Sequence, residues 1–110
     1  MNYFFTELDK LSNTVMPYLL NNEFDKAEAV CNQLVTEYPD MIDGIERFAD
    51  FYQAKANFEK TTVYHEKIIS YHFKTLKYMK EHPGFDPNFI ESINDKITKL
   101  LEELDELDAE

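Results

Sequence analysis

The chain has 110 residues and a formal net charge of −11, with two Gly, nine Phe, seven Tyr and one Cys. That length predicts a single domain, and the scarcity of glycine disfavours a turn-rich β protein. The single cysteine excludes an internal disulfide and favours a reducing, cytoplasmic setting. The negative charge disfavours binding to nucleic acid and to anionic membranes, no apolar run reaches the ~20 residues of a membrane span, and no signal peptide is visible.

The first predicted helix covers residues 3–21, where apolar side chains recur at helical spacing. Pro17 lies inside this segment, and a proline removes one backbone hydrogen bond and clashes with the preceding turn. Either one helix kinks over Pro17, or a short helix ends near Asn13 and another begins near Met16. The internal repeat described below favours the kinked helix. The apolar residues concerned are Phe4, Leu8, Leu11, Val15 and Leu19.

The second predicted helix lies within the stretch from Asn22 to Pro39, which has one apolar face. Asn22 is a suitable N-cap, and Pro39 is expected to end the helix because it disfavours helical geometry at Tyr38. The short link before it makes the first two helices antiparallel neighbours. The apolar face consists of Phe24, Ala27, Cys31 and Leu34.

Two further helices are expected between residues 40 and 80. Asp40 is a candidate N-cap for a third helix that runs to about Ala56, with Gly44 inside it at a point of close packing. Its core face is Ile45, Phe48, Ala49 and Tyr52. The fourth helix runs from Phe58 to about Lys80, with a stripe of Phe58, Thr62, His65, Ile69, His72 or Phe73, and Leu76.

The last helix is expected over residues 87–107, after an Asp86–Pro87 pair that suits an N-cap and a first helical position. Its apolar residues alternate three and four apart, which fits a helix that covers the fourth helix, or alternatively a dimer seam. The acidic tail, residues 102–110, is expected to fray. The apolar residues are Ile90, Ile93, Ile97, Leu100, Leu104 and Leu107.

The apolar pattern repeats after 34 residues, the length of a tetratricopeptide repeat. Its first round reads Leu11, Thr14, Val15, Tyr18, Phe24, Ala27, Cys31, Leu34 and Pro39, and its second reads Ile45, Phe48, Ala49, Tyr52, Phe58, Thr61, His65, Ile68 and Phe73. The chain therefore resembles that family over roughly residues 8–75. The resemblance implies an all-α fold of about five helices, with repeat one at about 8–41, repeat two at about 42–75, and antiparallel pairs stacked as a short right-handed superhelix.

No catalytic motif, cofactor loop or metal-ligand pattern is evident, so we expect no enzyme activity and no cofactor. Cys31 fills an apolar slot of the packing face, where a thiol is inert rather than nucleophilic. His65 and His72 are seven apart on one helix, whereas paired metal ligands on a helix are more often four apart. Both histidines are therefore interpreted as core residues.

One acidic row stands out on the third helix, where Asp43, Glu46 and Asp50 are spaced three and four apart. The resemblance implies that the first helix of each pair lines a ligand-binding groove, which Gln53 would extend. On the preceding pair the corresponding places carry Asp9, Ser12, Met16, Leu19 and Leu20. The predicted protein-binding residues are Asp43, Glu46, Asp50, Gln53, Met16, Leu19 and Leu20, with an ordinary solvated helix face as the alternative.

Two functions remain open from the sequence. One is a non-catalytic adaptor or chaperone-like module that binds a basic or amphipathic peptide segment in this groove. The other is an acidic immunity- or antitoxin-like protein, or a nucleic-acid mimic, that neutralises a basic partner. A homodimer is also possible, for which the aromatic start Tyr3–Phe4–Phe5 is one candidate surface, although these side chains could equally pack on the body.

Overall fold

The computed structural model describes residues 6–108, and side chains as far as residue 106. Within this range the chain forms six helices and no strand, so the all-α prediction is confirmed. The aromatic start at residues 3–5 and the end of the acidic tail lie outside the described residues. The helices are α1 (Glu7–Asn13), α2 (Val15–Leu20), α3 (Phe24–Glu37), α4 (Asp43–Ala54), α5 (Phe58–Glu81) and α6 (Pro87–Asp108).

The chain divides into two compact units, Met1–Tyr64 and His65–Glu110. The boundary falls inside α5, whose first turns belong to the first unit and whose remainder belongs to the second.

The predicted first helix is broken at Thr14 into α1 and α2, so the alternative of two helices holds and the preference for one kinked helix was wrong. Thr14 itself keeps helical backbone angles, with φ −81° and ψ −16°. Its N–H and its Oγ1 hydroxyl both donate to the Leu11 carbonyl, over 3.1 and 2.7 Å. Pro17 has no N–H to continue the helical bonding, so these contacts tighten the turn just before it.

The connections after α2 and after α4 have the same geometry. Asn22 and Ala56 take left-handed φ values of 59° and 57°. After α2, the N–H of Glu23 donates to the Tyr18 carbonyl over 2.8 Å, and that of Asn22 to the Leu19 carbonyl over 3.1 Å. After α4, Asn57 donates to Tyr52 and Ala56 to Gln53, over 2.9 and 3.0 Å. Both are Schellman motifs, and they lie 34 residues apart.

Two predicted N-caps were wrong. Asn22 ends α2 in the left-handed conformation, and Glu23 occupies the N-cap position of α3 without a side-chain capping bond. Asp40 lies ahead of α4, which begins at Asp43 after Ile42. Asn22 already closes the preceding helix, so a capping side chain in the sequence does not by itself decide where the next helix begins.

The core of the first unit lies between α1, α2, α3 and α4. Its buried members are Val15, Leu19, Ala27, Cys31, Leu34, Phe48 and Phe51. At Gly44 the helices α3 and α4 approach closely, since an added Cβ would lie 2.5 Å from Cγ1 of Val35 and 3.0 Å from its backbone nitrogen. This confirms the expected close packing. Phe51 is only 2% exposed and was absent from the predicted core face.

A stack of aromatic rings covers one side of α4. The ring of Phe48 is 5.9 Å from Tyr52 and 5.3 Å from Tyr64, centroid to centroid, and Tyr52 is 5.6 Å from Tyr64. All three pairs are nearly parallel, with interplanar angles of 18° to 25°. Burial, together with the neighbouring Tyr52, raises the pKa of the Tyr64 hydroxyl. The stack therefore fixes the start of α5 against α4 within the first unit.

The second unit is held together by an apolar cluster from α5 and α6. As far as Leu104, the apolar residues of α6 that could alternatively have formed a dimer seam pack in this cluster, within the chain. Asp86 caps α6 as expected, because its Oδ1 accepts from the Asn88 N–H over 2.8 Å. Helix α6 continues to Asp108, and within it Leu104 packs on the cluster and Oε2 of Glu103 lies 3.6 Å from Nε2 of His65; the fraying predicted for residues 102–110 stays a prediction. The cluster comprises Ile69, Met79, Ile93 and Ile97, flanked by Leu76, Ile90, Leu100 and Leu104.

The predicted stripe of α5 needs two corrections, of which the first is Phe58, a side chain that is 37% exposed. Thr61 is fully buried, whereas Thr62, one residue on, is half-buried. His72 is 7% exposed and Phe73 is 54% exposed, which decides between the two residues left open by the sequence. Burial recurs at the 34-residue offset in the pairs Val15 and Ala49, Ala27 and Thr61, Cys31 and His65, and Leu34 and Ile68.

Candidate functional site

A surface groove of about 260 Å³ runs between α2 and α4 in the first unit. Five of the seven residues predicted to bind a partner line it, so side chains from two helices that are far apart in sequence meet there. Asp43 and Glu46 do not line the groove, although both lie earlier on α4 at the helical spacing that leads to Asp50. The lining residues are Met16, Leu19, Leu20, Asp50, Gln53 and Ala54.

The α2 side of the groove is apolar and open to solvent. Leu20 is 78% exposed and Met16 is 43% exposed, so two large apolar side chains that line one groove both face solvent. Leu19, between them in the lining, is 7% exposed and belongs to the core of the first unit. The α2 side of the groove therefore has two exposed apolar side chains that a ligand can contact, next to one that is packed in the core.

The α4 side of the groove is polar, and its residue Asp50 pairs with a cation that sequence reasoning missed. Nε of Arg47 lies 3.2 Å from Oδ2 of Asp50, with both side chains partly buried. Nε of Arg47 makes no hydrogen bond, so its contact with Asp50 is a charge–charge interaction. The acidic row is thus partly neutralised at Asp50. The signal was present in the sequence, because Arg47 precedes Asp50 by three residues, a spacing that brings side chains together on a helix.

Two residues of α1 that were expected on this surface have other roles. Asp9 forms a capping box with Thr6: its backbone N–H donates to Thr6 Oγ1 over 3.1 Å, and its Oδ2 accepts from the Thr6 N–H over 3.2 Å. Ser12 is 4% exposed. The groove is consequently formed by α2 rather than by the whole segment from residue 7 to residue 20.

Cys31 is fully buried in the core, as its apolar slot predicted. Burial, assisted by the negative charge of Asp50, raises the pKa of its thiol to about 12. A thiol that stays protonated and inaccessible cannot act as a nucleophile. The structural interpretation of Cys31 is therefore confirmed.

His65 and His72 are buried, 5% and 7% exposed, which confirms them as core residues. Nδ1 of His65 is buried without a hydrogen-bond partner, and its Nε2 faces Glu103. Burial, with a further contribution from Lys96, lowers the pKa of His72. Within residues 6–108, no three His, Cys, Asp or Glu side chains lie close enough together to hold a metal ion.

Comparison of the chain with protein-family models, with curated proteins and with solved structures gives no match. Among the helices described here, none has the length and apolar character needed to cross a bilayer.

Proposed function

We propose that this chain is a non-catalytic protein-interaction module of the tetratricopeptide-like kind, and that the groove between α2 and α4 binds an amphipathic segment of another polypeptide. The observation that carries the proposal is the pairing, in one groove, of exposed Leu20 and Met16 with the polar side chains of Asp50 and Gln53. Peptide-binding grooves combine apolar contact with a few polar groups that set orientation.

The repeated geometry supports the choice of module. The same left-handed turn closes α2 and α4 after 34 residues, and burial recurs at that offset. A stride of this length belongs to helix-pair repeats. The groove lies between the helices that precede these two turns, α2 and α4.

The expected ligand is apolar at its centre and basic at one flank. Its apolar side chains would cover Leu20 and Met16, and burial of one such side chain contributes about 1.5–3 kcal/mol. Its Lys or Arg residues would face Asp43 and Glu46, which extend the acidic row beyond the Arg47–Asp50 pair. Complementary charges of this kind set orientation and association rate more than affinity.

Selection from a random peptide library displayed on phage, followed by titration of the selected peptides, tests the proposal. We expect selected peptides that combine apolar and basic residues, and affinity at least about ten-fold weaker for Leu20→Ser and Met16→Ser. Asp43→Lys with Glu46→Lys should disfavour the basic peptides. Val63→Ser, at a side chain that is 45% exposed and outside the groove lining, and Glu28→Lys with Glu37→Lys, at exposed carboxylates of α3, are the matched controls.

The same titrations separate this function from an acidic decoy. A decoy that neutralises a basic enzyme would lose affinity steeply with added salt and would be insensitive to Leu20→Ser. Selected peptides that bind the Leu20→Ser, Met16→Ser and parent chains equally would contradict the proposed groove.

A further inference from the structure

A second groove, of about 450 Å³, lies in the second unit between α5 and α6. Phe73 of α5 is 54% exposed at its edge, and half-buried Leu76 and Ile90 form its apolar surface. Two exposed ammonium groups, those of Lys77 and Lys80, stand beside this surface in a chain whose net charge is −11. The groove is thus apolar and locally basic, and its lining consists of Phe73, Leu76, Lys77, Lys80, Ile90 and Asn94.

The other end of α6 has the opposite charge and a matching apolar side chain. Asn94 of the groove, Leu101 and Asp105 are spaced seven and four residues apart, so they share one side of the helix. Leu101 is 47% exposed, and Asp105 and Glu102 beside it are exposed carboxylates. One side of the second unit therefore carries a basic apolar groove at one end and an exposed leucine among acids at the other.

We propose that the occupant of this groove is the acidic end of α6 from a second copy of the chain. In a twofold dimer each patch meets the other end of the same patch on its partner. Leu101 of each copy would then cover Phe73 and Ile90 of the other. The carboxylates of Glu102 and Asp105 would face the ammonium groups of Lys77 and Lys80.

The charges favour a second copy over an unrelated partner because both complementary halves, the lysines of α5 and the carboxylates of α6, belong to the same unit of one chain. The contact does not compete with folding. The side chains that hold α6 on α5 are Ile93, Ile97 and Leu104, whereas Leu101 remains exposed. The dimer thus differs from the predicted heptad seam, of which only half-buried Ile90 takes part in the proposed contact.

Sedimentation equilibrium of paired charge reversals tests the proposal. The parent chain is expected to form dimers with a dissociation constant no higher than about 1 mM. Lys77→Glu with Lys80→Glu makes the groove acidic, and Glu102→Lys with Asp105→Lys makes the α6 end basic. Each double variant alone is expected to raise the dimer dissociation constant at least about ten-fold, because like charges then meet at both contacts.

Mixing the two double variants is the decisive measurement. In the mixed dimer, one contact keeps the original charges and the other has both signs reversed, so both contacts are complementary and dimers should form again. Lys74→Glu with Lys99→Glu, at exposed lysines outside the groove lining, makes the same charge change and should leave dimerisation unchanged. Circular dichroism establishes first that each variant is folded, and Lys77→Gln with Lys80→Gln replaces the reversal if it is not.

A parent chain that remains monomeric throughout the concentration range overturns the proposal. A dimer that is indifferent to both reversals, or a mixture of reversed variants that fails to associate, also overturns it. None of these outcomes bears on peptide binding between α2 and α4, which is measured separately through Leu20 and Met16.

Discussion

Asn22 and Ala56 occupy the same left-handed position at the end of two helices, with φ values of 59° and 57°. The two residues are 34 positions apart, and each closes its helix with the same pair of backbone hydrogen bonds. The conformation costs an L-residue with a Cβ roughly 1–2 kcal/mol, but asparagine tolerates it better than alanine. The two turns are therefore alike in geometry and unequal in strain.

Replacing Ala56 with glycine should stabilise the protein, because glycine adopts a positive φ without steric cost. We expect the free energy of unfolding in urea to rise by about 0.5–1 kcal/mol, with part of the relieved strain offset by the greater freedom of glycine in the unfolded chain. Asn22→Gly should gain less, and Asn22→Ala should lose stability. An Ala56→Gly variant that is no more stable than the parent would contradict the left-handed assignment.

Replacing Gly44 with alanine should destabilise the protein although alanine favours helix. The new Cβ would lie 2.5 Å from Val35 Cγ1, which can move, and 3.0 Å from the Val35 backbone nitrogen, which cannot move without shifting α3. Overpacking of this kind costs about 1–3 kcal/mol, against about 1 kcal/mol gained in helix propensity.

A double-mutant cycle measured by urea unfolding isolates the Gly44 contact. Val35→Ala removes the side-chain clash, so Gly44→Ala should cost less in that background than in the parent chain. Equal costs in the two backgrounds would show that the approach of α3 and α4 at this point is not the cause.

Cys31 should be unreactive in the folded protein and reactive once the chain unfolds. Because burial raises the pKa of its thiol to about 12, the thiolate that attacks labelling reagents is scarce, and the sulfur is inaccessible. Labelling with a thiol reagent at increasing urea should follow the unfolding transition seen by circular dichroism. Rapid labelling in the absence of urea would contradict the buried placement.

His72 should make stability depend on pH on the acidic side of neutrality. Its pKa in the folded chain is lowered by burial and by Lys96, whereas the unfolded chain keeps a value of about 6.5. The unfolded state therefore binds more protons below pH ~6.5, so the stability contributed by neutral His72 is complete above that pH and is lost as pH falls towards the folded value.

The measurement is the difference in unfolding free energy between the parent chain and His72→Gln as a function of pH. As the pH falls from about 7.5 to about 5, the unfolding free energy of the parent chain should decrease relative to that of His72→Gln. Using the difference cancels the contributions of the other titrating groups that both chains share. A difference that is constant over this range would show that His72 is not shielded from protonation.

Much of the fold could be predicted from the sequence because it depends on periodicity and on a few strong signals. The pattern Phe24, Ala27, Cys31 and Leu34 predicted α3, and Asp86 with Pro87 predicted the start of α6. Phe51 was missed because it lies outside the stripe of Ile45, Phe48 and Tyr52. A stripe describes a helix with one neighbour, but α4 contacts α1, α2 and α3 and also packs Phe48 against Tyr64.

The candidate site was predictable in its composition and less so in its electrostatics. The meeting of Met16 and Leu20 with Asp50 and Gln53 followed from the repeat register. The ion pair from Arg47 was indicated by its three-residue spacing to Asp50 alone, and spacing does not show which side-chain conformers the neighbouring helices leave open. The left-handed turn at Asn22 was likewise read as a cap, since asparagine suits both roles.

The nearly parallel rings of Phe48, Tyr52 and Tyr64 also make the first unit observable without a label. The chain contains no tryptophan, so tyrosine emission can be recorded without energy transfer to an indole. Fixed aromatic packing of this kind is detected in near-ultraviolet circular dichroism and disappears when specific side-chain packing is lost. An optical signal already in the protein can therefore report on specific side-chain packing, to which this stack contributes together with the other tyrosines of the chain, while the far-ultraviolet signal follows all the helices together.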